Sequence, residues 1–205
     1  MNLPKVCIFD NYDSFTWNLH HYLEAFLSAD VPVIKNDEKD WTKLEDSDIL
    51  LLSPGPGLPQ ESGRLMECLA SFGPKKALLG VCLGHQALAL HTGGQLYNLE
   101  QVWHGKMSWT QDAQPHEKHV LQHFCPMEVG RYHSWAVKET SLNSEWQVLQ
   151  KTRDGVIMAM EHQNFPWMGL QYHPESVLTP SGRQVLSEVL LHLHQRHAFR
   201  KKPNL

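Results

Sequence analysis

A cysteine between two glycines is the residue in this sequence best suited to nucleophilic chemistry. The segment Gly80-Val81-Cys82-Leu83-Gly84 follows an apolar run and precedes a stretch typical of a helix. A sharp strand-to-helix turn of this kind holds a nucleophile in a strained conformation, with its side chain over the sheet edge. The N-terminus of the following helix favours a thiolate. The pattern therefore predicts that Cys82 is a catalytic nucleophile and disfavours a buried structural cysteine.

Two segments offer donors to the oxyanion that forms when a thiolate attacks a carbonyl. The backbone N–H of Leu83 directly follows the nucleophile. The loop Ser53-Pro54-Gly55-Pro56-Gly57 follows an apolar run, and loops at the carboxyl ends of parallel strands line the binding crevice. Its prolines fix the path and its glycines allow close approach, so we expect a second donor and a substrate wall. Phosphate binding is the weaker alternative, because no Gly-Lys-Ser/Thr follows.

His173 and Glu175 can serve as the base and the orienting group that a catalytic thiol requires. They lie in Gln171-Tyr172-His173-Pro174-Glu175, after an apolar segment. In an extended chain, residues two apart project to the same side, so Glu175 is predicted to hold the imidazole for proton transfer. Together with the cysteine turn, this segment indicates a Cys-His-Glu triad.

Alternating apolar and amphipathic segments in the first half of the chain must position these groups. Strands are predicted at 6–9, 31–34, 49–52 and 77–81, and helices at 14–26, 63–72 and 84–90, with Ser14 as the first N-cap. Strands that are apolar on both faces and alternate with helices indicate a parallel sheet between two helical layers. The predicted fold class is therefore α/β, with a mostly parallel central sheet.

The second half of the chain has a different pattern. Strands are predicted at 129–137, 146–151, 156–161 and 167–171, with a turn at Arg153-Asp154-Gly155. This pattern indicates a small antiparallel flap that returns to the central sheet, followed by a helix at about 181–197. Because no linker or repeat divides the chain, residues 1–205 are predicted to form a single domain.

Charge and hydropathy argue against several classes of function. The chain has 18 basic and 22 acidic residues, giving a formal net charge of -4, and it lacks the basic stripe of a nucleic-acid-binding protein. No run of about 18 apolar residues is present, which disfavours a membrane span. The N-terminal segment lacks the apolar core of a signal peptide, so a cytoplasmic location is expected.

The remaining cysteines and histidines suggest neither a disulfide framework nor a metal site. No Cys-x-x-Cys pair occurs, and Cys7, Cys68 and Cys125 are interpreted as small apolar residues. His192 and His194 are two apart in a predicted helix, so they do not share a face and are poor metal ligands. No metal is expected in this chain.

Six segments together resemble class I glutamine amidotransferases, specifically the small component of anthranilate synthase and of aminodeoxychorismate synthase. They span nearly the whole chain and are residues 10–16, 53–59, 80–86, 104–106, 131–134 and 171–179. The family has Leu where this chain has Trp135, and Thr where it has Met107. The segment from Trp109 to Cys125 follows no motif of the family.

The resemblance implies a role for each matching residue. Cys82 would form a glutamyl thioester, and His173, oriented by Glu175, would protonate the leaving ammonia and then activate water. The N–H groups of Gly57 and Leu83 would form the oxyanion hole, and Ser134 and Trp135 would bind the α-groups of glutamine through their backbone. The full set implied around glutamine is Gly55, Pro56, Gly57, Leu83, Gln86, Ser134 and Trp135.

The resemblance also implies a partner protein. Ammonia would pass to chorismate held by a synthase component, which would carry the family's magnesium, and no cofactor is expected in this chain. The residues implied to lie near that partner are Asn11, Tyr12, Ser14, His104, Gly105 and Lys106. The sequence leaves open whether the pathway makes anthranilate or aminobenzoate. A stand-alone cysteine hydrolase, such as a γ-glutamyl hydrolase, and a non-catalytic binding protein on the same fold are the alternatives.

Overall fold

The computed structural model of the protein describes residues 3–201. The strands within this range are β1 (Val6–Asp10), β2 (Val33–Lys35), β3 (Ile49–Leu52), β4 (Ala77–Val81), β5 (Leu96–Asn98), β6 (Lys106–Asp112), β7 (Glu128–Arg131), β8 (Trp135–Val137), β9 (Trp146–Thr152), β10 (Ile157–His162) and β11 (Trp167–Leu170). The α-helices are α1 (Thr16–Leu27), α2 (Thr42–Asp46), α3 (Leu65–Phe72), α4 (Leu83–His91) and α5 (Gly182–Lys201).

The main sheet has nine strands in the order β2-β1-β3-β4-β11-β10-β9-β6-β7. The strands from β2 to β11 in this order are parallel, and each pairing from β11 to β7 is antiparallel. The α/β fold class is therefore confirmed. The expected antiparallel flap is a direct continuation of the central sheet, and β5 and β8 form a separate two-stranded sheet beside it.

Helices cover both faces of the parallel strands, because successive strand residues point to opposite sides. Leu51 of β3 packs in one buried cluster with Leu19 of α1 and Leu190 of α5. Its neighbour Leu50 packs in the other cluster with Leu69 of α3. The parallel strands can therefore be apolar throughout, and their carboxyl ends carry the loops that bear the predicted site.

Several predicted boundaries differ from the observed ones. Ser14 is exposed and is not an N-cap, since α1 begins at Thr16 and Asp13 closes the preceding turn through a 2.8 Å bond from the Phe15 N–H to its carboxylate. The strand predicted at 129–137 is two strands, because residues 132–134 leave the sheet. Pro32 precedes β2, which is an edge strand as expected.

Three elements were not expected from the sequence. They are α2, β5 and β6, and each of them has an irregular or mostly exposed pattern. Strand β6 exposes both Met107 and Trp109, so the apolar residues that alternate with polar ones in this strand lie on its solvent face and not in the core. In residues 3–201, no helix has the length and apolar character needed to cross a membrane.

His85 is a fully buried histidine in α4, packed against the backbone of β11. A Cβ atom at Gly169 would lie 2.4 Å from His85 Nδ1, so only glycine leaves room for the ring. Burial lowers the pKa of His85 to about 3, from an ordinary value of 6.5. The ring is therefore neutral in the folded protein at neutral pH.

We expect the buried His85 to destabilise the fold in acid. Between pH 6.5 and about pH 3, the His85 ring is protonated in the unfolded chain but neutral in the folded protein. The free energy of unfolding therefore decreases as the pH falls through this window. The loss is about 1.4 kcal/mol per pH unit. Urea unfolding of the wild type and of His85→Met should therefore diverge between pH 6.5 and about 4.5. If the free energies of unfolding of the two proteins differ by the same amount at every pH, this expectation is contradicted. The control is His123→Met, which changes an exposed histidine.

Candidate active site

Cys82 occupies the turn between β4 and α4 in a strained backbone conformation. Its φ of 51° and ψ of -100° lie where residues with side chains are rarely found. A Cβ atom at Gly84 would lie 2.3 Å from the Leu52 carbonyl oxygen, and one at Gly80 would lie 2.4 Å from the backbone of Gly84. The two glycines therefore allow the turn to fold tightly against β3, as the sequence pattern predicts.

A cavity of about 130 Å³ lies beside Cys82. The structure brings all seven residues predicted to surround the substrate to its wall. The lining residues are Gly55, Pro56, Gly57, Cys82, Leu83, Gln86, Tyr132, His133, Ser134 and Trp135. Pockets for drug-sized ligands usually measure about 300–1,000 Å³, so this cavity favours a small substrate.

The proline-glycine loop after β3 packs directly on the nucleophile turn. A Cβ atom at Gly55 would lie 2.6 Å from the Leu83 side chain and 2.7 Å from Asn11. The backbone N–H of Asn11 donates to Ser53 Oγ at 2.8 Å, and its side-chain amide donates to the Ser53 carbonyl at 2.9 Å. Gly57 has a φ of 72°, in the left-handed region that glycine adopts without strain.

His173 and Glu175 form a buried pair that contacts Tyr132 of the cavity wall. His173 Nδ1 lies 2.6 Å from Glu175 Oε1, and both side chains are shielded from solvent. The physical reason differs from the expected one, because β11 ends at Leu170 and residues 173–176 form a turn. In that turn the N–H of Ser176 donates to the His173 carbonyl at 3.2 Å. The two side chains therefore meet through a turn and not through an extended segment.

Electrostatics around His173 favour its protonated form. Burial alone would lower the pKa of His173, but the sulfur of Cys82 and the carboxylate of Glu175 outweigh it and raise the pKa well above its ordinary value. His173 Nε2 is buried and makes no hydrogen bond to a described residue. Within residues 3–201 that nitrogen is therefore not engaged by a competing hydrogen-bond partner, and the charged neighbours of the ring favour its imidazolium form.

Two aromatic rings pack against the imidazole of His173. The ring centroids of Tyr132 and Phe15 lie 4.9 Å and 5.3 Å from that of His173. The Tyr132 hydroxyl also lies 3.0 Å from Ser176 Oγ, so the tyrosine bridges the cavity wall and the histidine turn. Neither ring was assigned a role from the sequence, although both lie in segments that carry the family resemblance.

A pair of glutamines links the cavity wall to the nucleophile. Gln86 Nε2 donates to the Trp135 carbonyl at 2.8 Å and to Gln171 Oε1 at 3.1 Å. Gln171 Nε2 in turn lies 3.7 Å from Cys82 Sγ. Gln171 was not singled out from the sequence, because its role depends on contacts across 89 residues of chain.

The residues expected near a partner are not all at the surface. Tyr12, Ser14 and the 104–106 loop are exposed, but Asn11 is only 2 % exposed. Asn11 holds the loop after β3, so its side chain cannot present itself to a partner. Within residues 3–201, no three His, Cys, Asp or Glu side chains are grouped so that they could hold a metal ion.

The fold and the site together define a class of protein. A cysteine at a strand-to-helix turn over a parallel sheet, together with a buried His–Glu pair, has the groups that acyl transfer through a thioester requires. The family model of class-I glutamine amidotransferases matches residues 7–193. The chain belongs to this family, as its resemblance predicted.

Comparisons with individual proteins agree with this assignment. The chain is 39 % identical over 184 residues to the aminodeoxychorismate/anthranilate synthase component 2 of Bacillus subtilis, covering 88 % of this chain and 93 % of that protein. It is 36 % identical over 192 residues to the bifunctional protein TrpGD of Thermotoga maritima; the match covers 92 % of this chain and 32 % of that longer protein.

A solved structure gives the same fold. The crystal structure of a glutamine amidotransferase from Thermotoga maritima superposes with a TM-score of 0.69 at 14 % sequence identity. The match covers 95 % of this chain and 99 % of that one. At this identity the likeness establishes the fold alone.

We expect the reactivity of Cys82 to depend on His173. If the imidazolium stabilises a thiolate, His173→Gln should slow alkylation of Cys82 by iodoacetamide about tenfold or more at neutral pH, since the thiolate is the reacting form. Mass spectrometry of the Cys82 peptide separates this reaction from that of half-buried Cys125. An unchanged rate in His173→Gln would show that the pair is not formed, and exposed His123→Gln is the control.

Proposed function

We propose that this chain is a glutaminase subunit that hydrolyses L-glutamine to glutamate and ammonia and delivers the ammonia to a chorismate-using synthase. The observation that carries the proposal is the strained thiol of Cys82, which faces a small cavity and is electrostatically coupled to a buried His–Glu pair. The family assignment makes glutamine the substrate that this chemistry favours.

The first half of the reaction forms a thioester. The Cys82 sulfur attacks the side-chain carbonyl carbon of glutamine, and the N–H groups of Gly57 and Leu83 stabilise the resulting oxyanion. His173 gives its proton to the leaving nitrogen, so the C–N bond breaks and ammonia departs. Glu175 keeps the imidazole oriented and stabilises its charged form.

The second half of the reaction returns the enzyme to its starting state. His173, now neutral, removes a proton from water as the oxygen attacks the thioester carbonyl. The C–S bond then breaks, glutamate is released, and the thiolate of Cys82 is regenerated beside protonated His173. The same two backbone N–H groups stabilise the second oxyanion. Because these donors do the work that a metal ion could do, we assign no metal to this chain. Mg²⁺ is assigned to the synthase partner.

Glutamine selectivity is assigned to the wall formed by residues 134–135 and Gln86. The Ser134 carbonyl accepts a 2.8 Å hydrogen bond from the Leu99 N–H, and the Trp135 carbonyl accepts one from Gln86. These carbonyls are therefore occupied, and the Trp135 N–H is the backbone group that we assign to the α-carboxylate. Because a backbone group makes this contact, tryptophan can stand where relatives carry leucine.

We assign the synthase partner to the surface around Tyr132. Its ring lies 5.0 Å from Phe15 and 5.8 Å from His104, which brings the N-terminal loop and the 104–106 loop together above the site. Val177 follows Ser176 on the same side and is 90 % exposed. The printed name of the Bacillus subtilis relative, component 2 of a synthase, supports a second component there. The pathway is set by that component.

A cytoplasmic location is part of this proposal. The four cysteines of the chain form no disulfide, as is usual for a reducing compartment. Glutamine and chorismate would both be supplied there.

We expect Cys82→Ser to abolish ammonia release from glutamine while leaving capture of the synthase component intact, because the serine fits the turn but cannot form the thioester. The measurement is ammonia release, paired with a pull-down of the component and identification of its product from chorismate and glutamine. Ammonia release at the wild-type rate would refute the mechanism. A wild-type chain that releases ammonia without capturing any chorismate-binding protein would favour a stand-alone hydrolase.

The Gly57 donor can be tested with two substitutions at one position. Both Gly57→Ala and Gly57→Pro disturb a backbone with a φ of 72°, but only proline removes the N–H. We expect Gly57→Pro to turn over glutamine about 10²–10³-fold more slowly than Gly57→Ala. Equal rates for the two variants would show that this N–H does not stabilise the oxyanion.

A further inference from the structure

His133 is held in one tautomer between two fixed partners. Its Nδ1 lies 2.8 Å from the Trp135 carbonyl oxygen, and its Nε2 lies 3.1 Å from Arg131 Nε. A guanidinium only donates, so Nε2 must accept and Nδ1 must carry the proton. Burial, followed by the charge of Arg131, lowers the pKa of His133 to about 4. The neutral ring therefore donates from Nδ1 to the Trp135 carbonyl.

The burial of the Arg131 guanidinium costs free energy, because it removes a charge from water. It is fully buried, with its guanidinium stacked on Trp103 at 3.8 Å and its nearest carboxylate, on Asp154, 3.8 Å away. Its Nη2 makes no hydrogen bond to any described residue. A buried charge with such incomplete pairing contributes little to stability. The hydrogen bond from Arg131 Nε to His133 Nε2 connects this guanidinium to a residue that lines the cavity.

The Trp135 carbonyl is locked by two donors. Besides His133 Nδ1, Gln86 Nε2 donates to it at 2.8 Å, so both lone pairs are filled. The neighbouring Ser134 carbonyl accepts from the Leu99 N–H of the adjacent segment. Because successive strand residues direct their polar groups to opposite edges, the N–H of Trp135 points away from β5, and Trp135 is a residue that lines the cavity.

We propose that His133, in the tautomer set by Arg131, is a positioning residue for the substrate. It fixes the Trp135 carbonyl, while the Leu99 N–H fixes the Ser134 carbonyl in the peptide plane before it. With both planes held, the Trp135 N–H is aimed at the α-carboxylate of glutamine, where a charge-assisted hydrogen bond forms. This inference rests on the proposed function, because it requires glutamine in the cavity. Loss of the His133 donor should therefore weaken glutamine binding without changing the reactivity of the Cys82 thiol.

Protection of Cys82 from iodoacetamide by glutamine separates these two effects. His133→Asn keeps an N–H donor near the Nδ1 position, whereas His133→Gln carries its amide near the Nε2 position and lacks that donor. We expect the half-protecting glutamine concentration to rise about tenfold in His133→Gln and to stay within about threefold of wild type in His133→Asn. The alkylation rate without glutamine should be equal in all three proteins, with exposed His123→Gln as control.

The outcomes distinguish this proposal from the proposed function. If glutamine protects the wild type and the Asn and Gln variants alike, the positioning role is overturned and the glutaminase assignment stands. If glutamine fails to protect the wild type, the proposed function is overturned and this role with it. A slower alkylation of His133→Gln without glutamine would place the effect on the nucleophile and also overturn the proposal.

A second pair of variants tests the same point if His133→Gln does not fold. Arg131→Lys keeps a cationic donor for His133 Nε2, whereas Arg131→Met fills a similar volume without one. We expect Arg131→Met to raise the half-protecting glutamine concentration about tenfold and Arg131→Lys to restore most of the affinity. Equal affinities in the two variants would overturn the part of the proposal that gives the Arg131 donor a role in positioning the substrate.

Discussion

The site depends on holding Cys82 at a φ of 51° between a buried strand and a helix. A non-glycine residue in such a region costs about 1–3 kcal/mol, which the surrounding packing must offset. Gly80 and Gly84 make the packing possible by admitting backbone contacts that a Cβ atom would block. The strained turn places Cys82 at the carboxyl end of β4, beside the cavity that it lines.

The topology of the sheet brings the other groups to that sulfur. β3, β4 and β11 are adjacent and parallel, so the proline-glycine loop, the nucleophile turn and the His173 turn all leave the same edge. The antiparallel strands extend the sheet, and the segment that connects β7 to β8 supplies residues 132–135 as the remaining wall. Each part of the site is therefore placed by a strand end and then fixed by a small number of buried hydrogen bonds, with Glu175 fixing the imidazole and Gln171 reaching the sulfur.

The sequence was sufficient for the parts of the site that are set by local chain geometry. Cys82 with its glycines is such a part, and so is the proximity of His173 to Glu175, although a turn and not an extended segment produces it. Residues whose roles depend on contacts with residues far away in the sequence could not be identified from their local sequence pattern. Asn11 looks like a surface residue in its polar segment, yet it is buried against Ser53. The role inferred for Arg131 depends on a hydrogen bond to His133 and on stacking with Trp103, which no local pattern indicates.

The most direct test of the thioester mechanism is to trap the acyl group on the sulfur. His173→Gln protein, incubated with glutamine and quenched in acid, should carry a glutamyl group on the Cys82 peptide. The variant forms the thioester slowly, because it lacks the acid that protonates the leaving nitrogen, but hydrolysis is slowed more, because the attacking water has no base. Digestion and mass spectrometry would locate the modification. We expect the adduct at Cys82 and nowhere else in the chain. Release of ammonia by the wild type, with the Cys82 peptide unmodified in the variant and an adduct found at another residue, would contradict the mechanism.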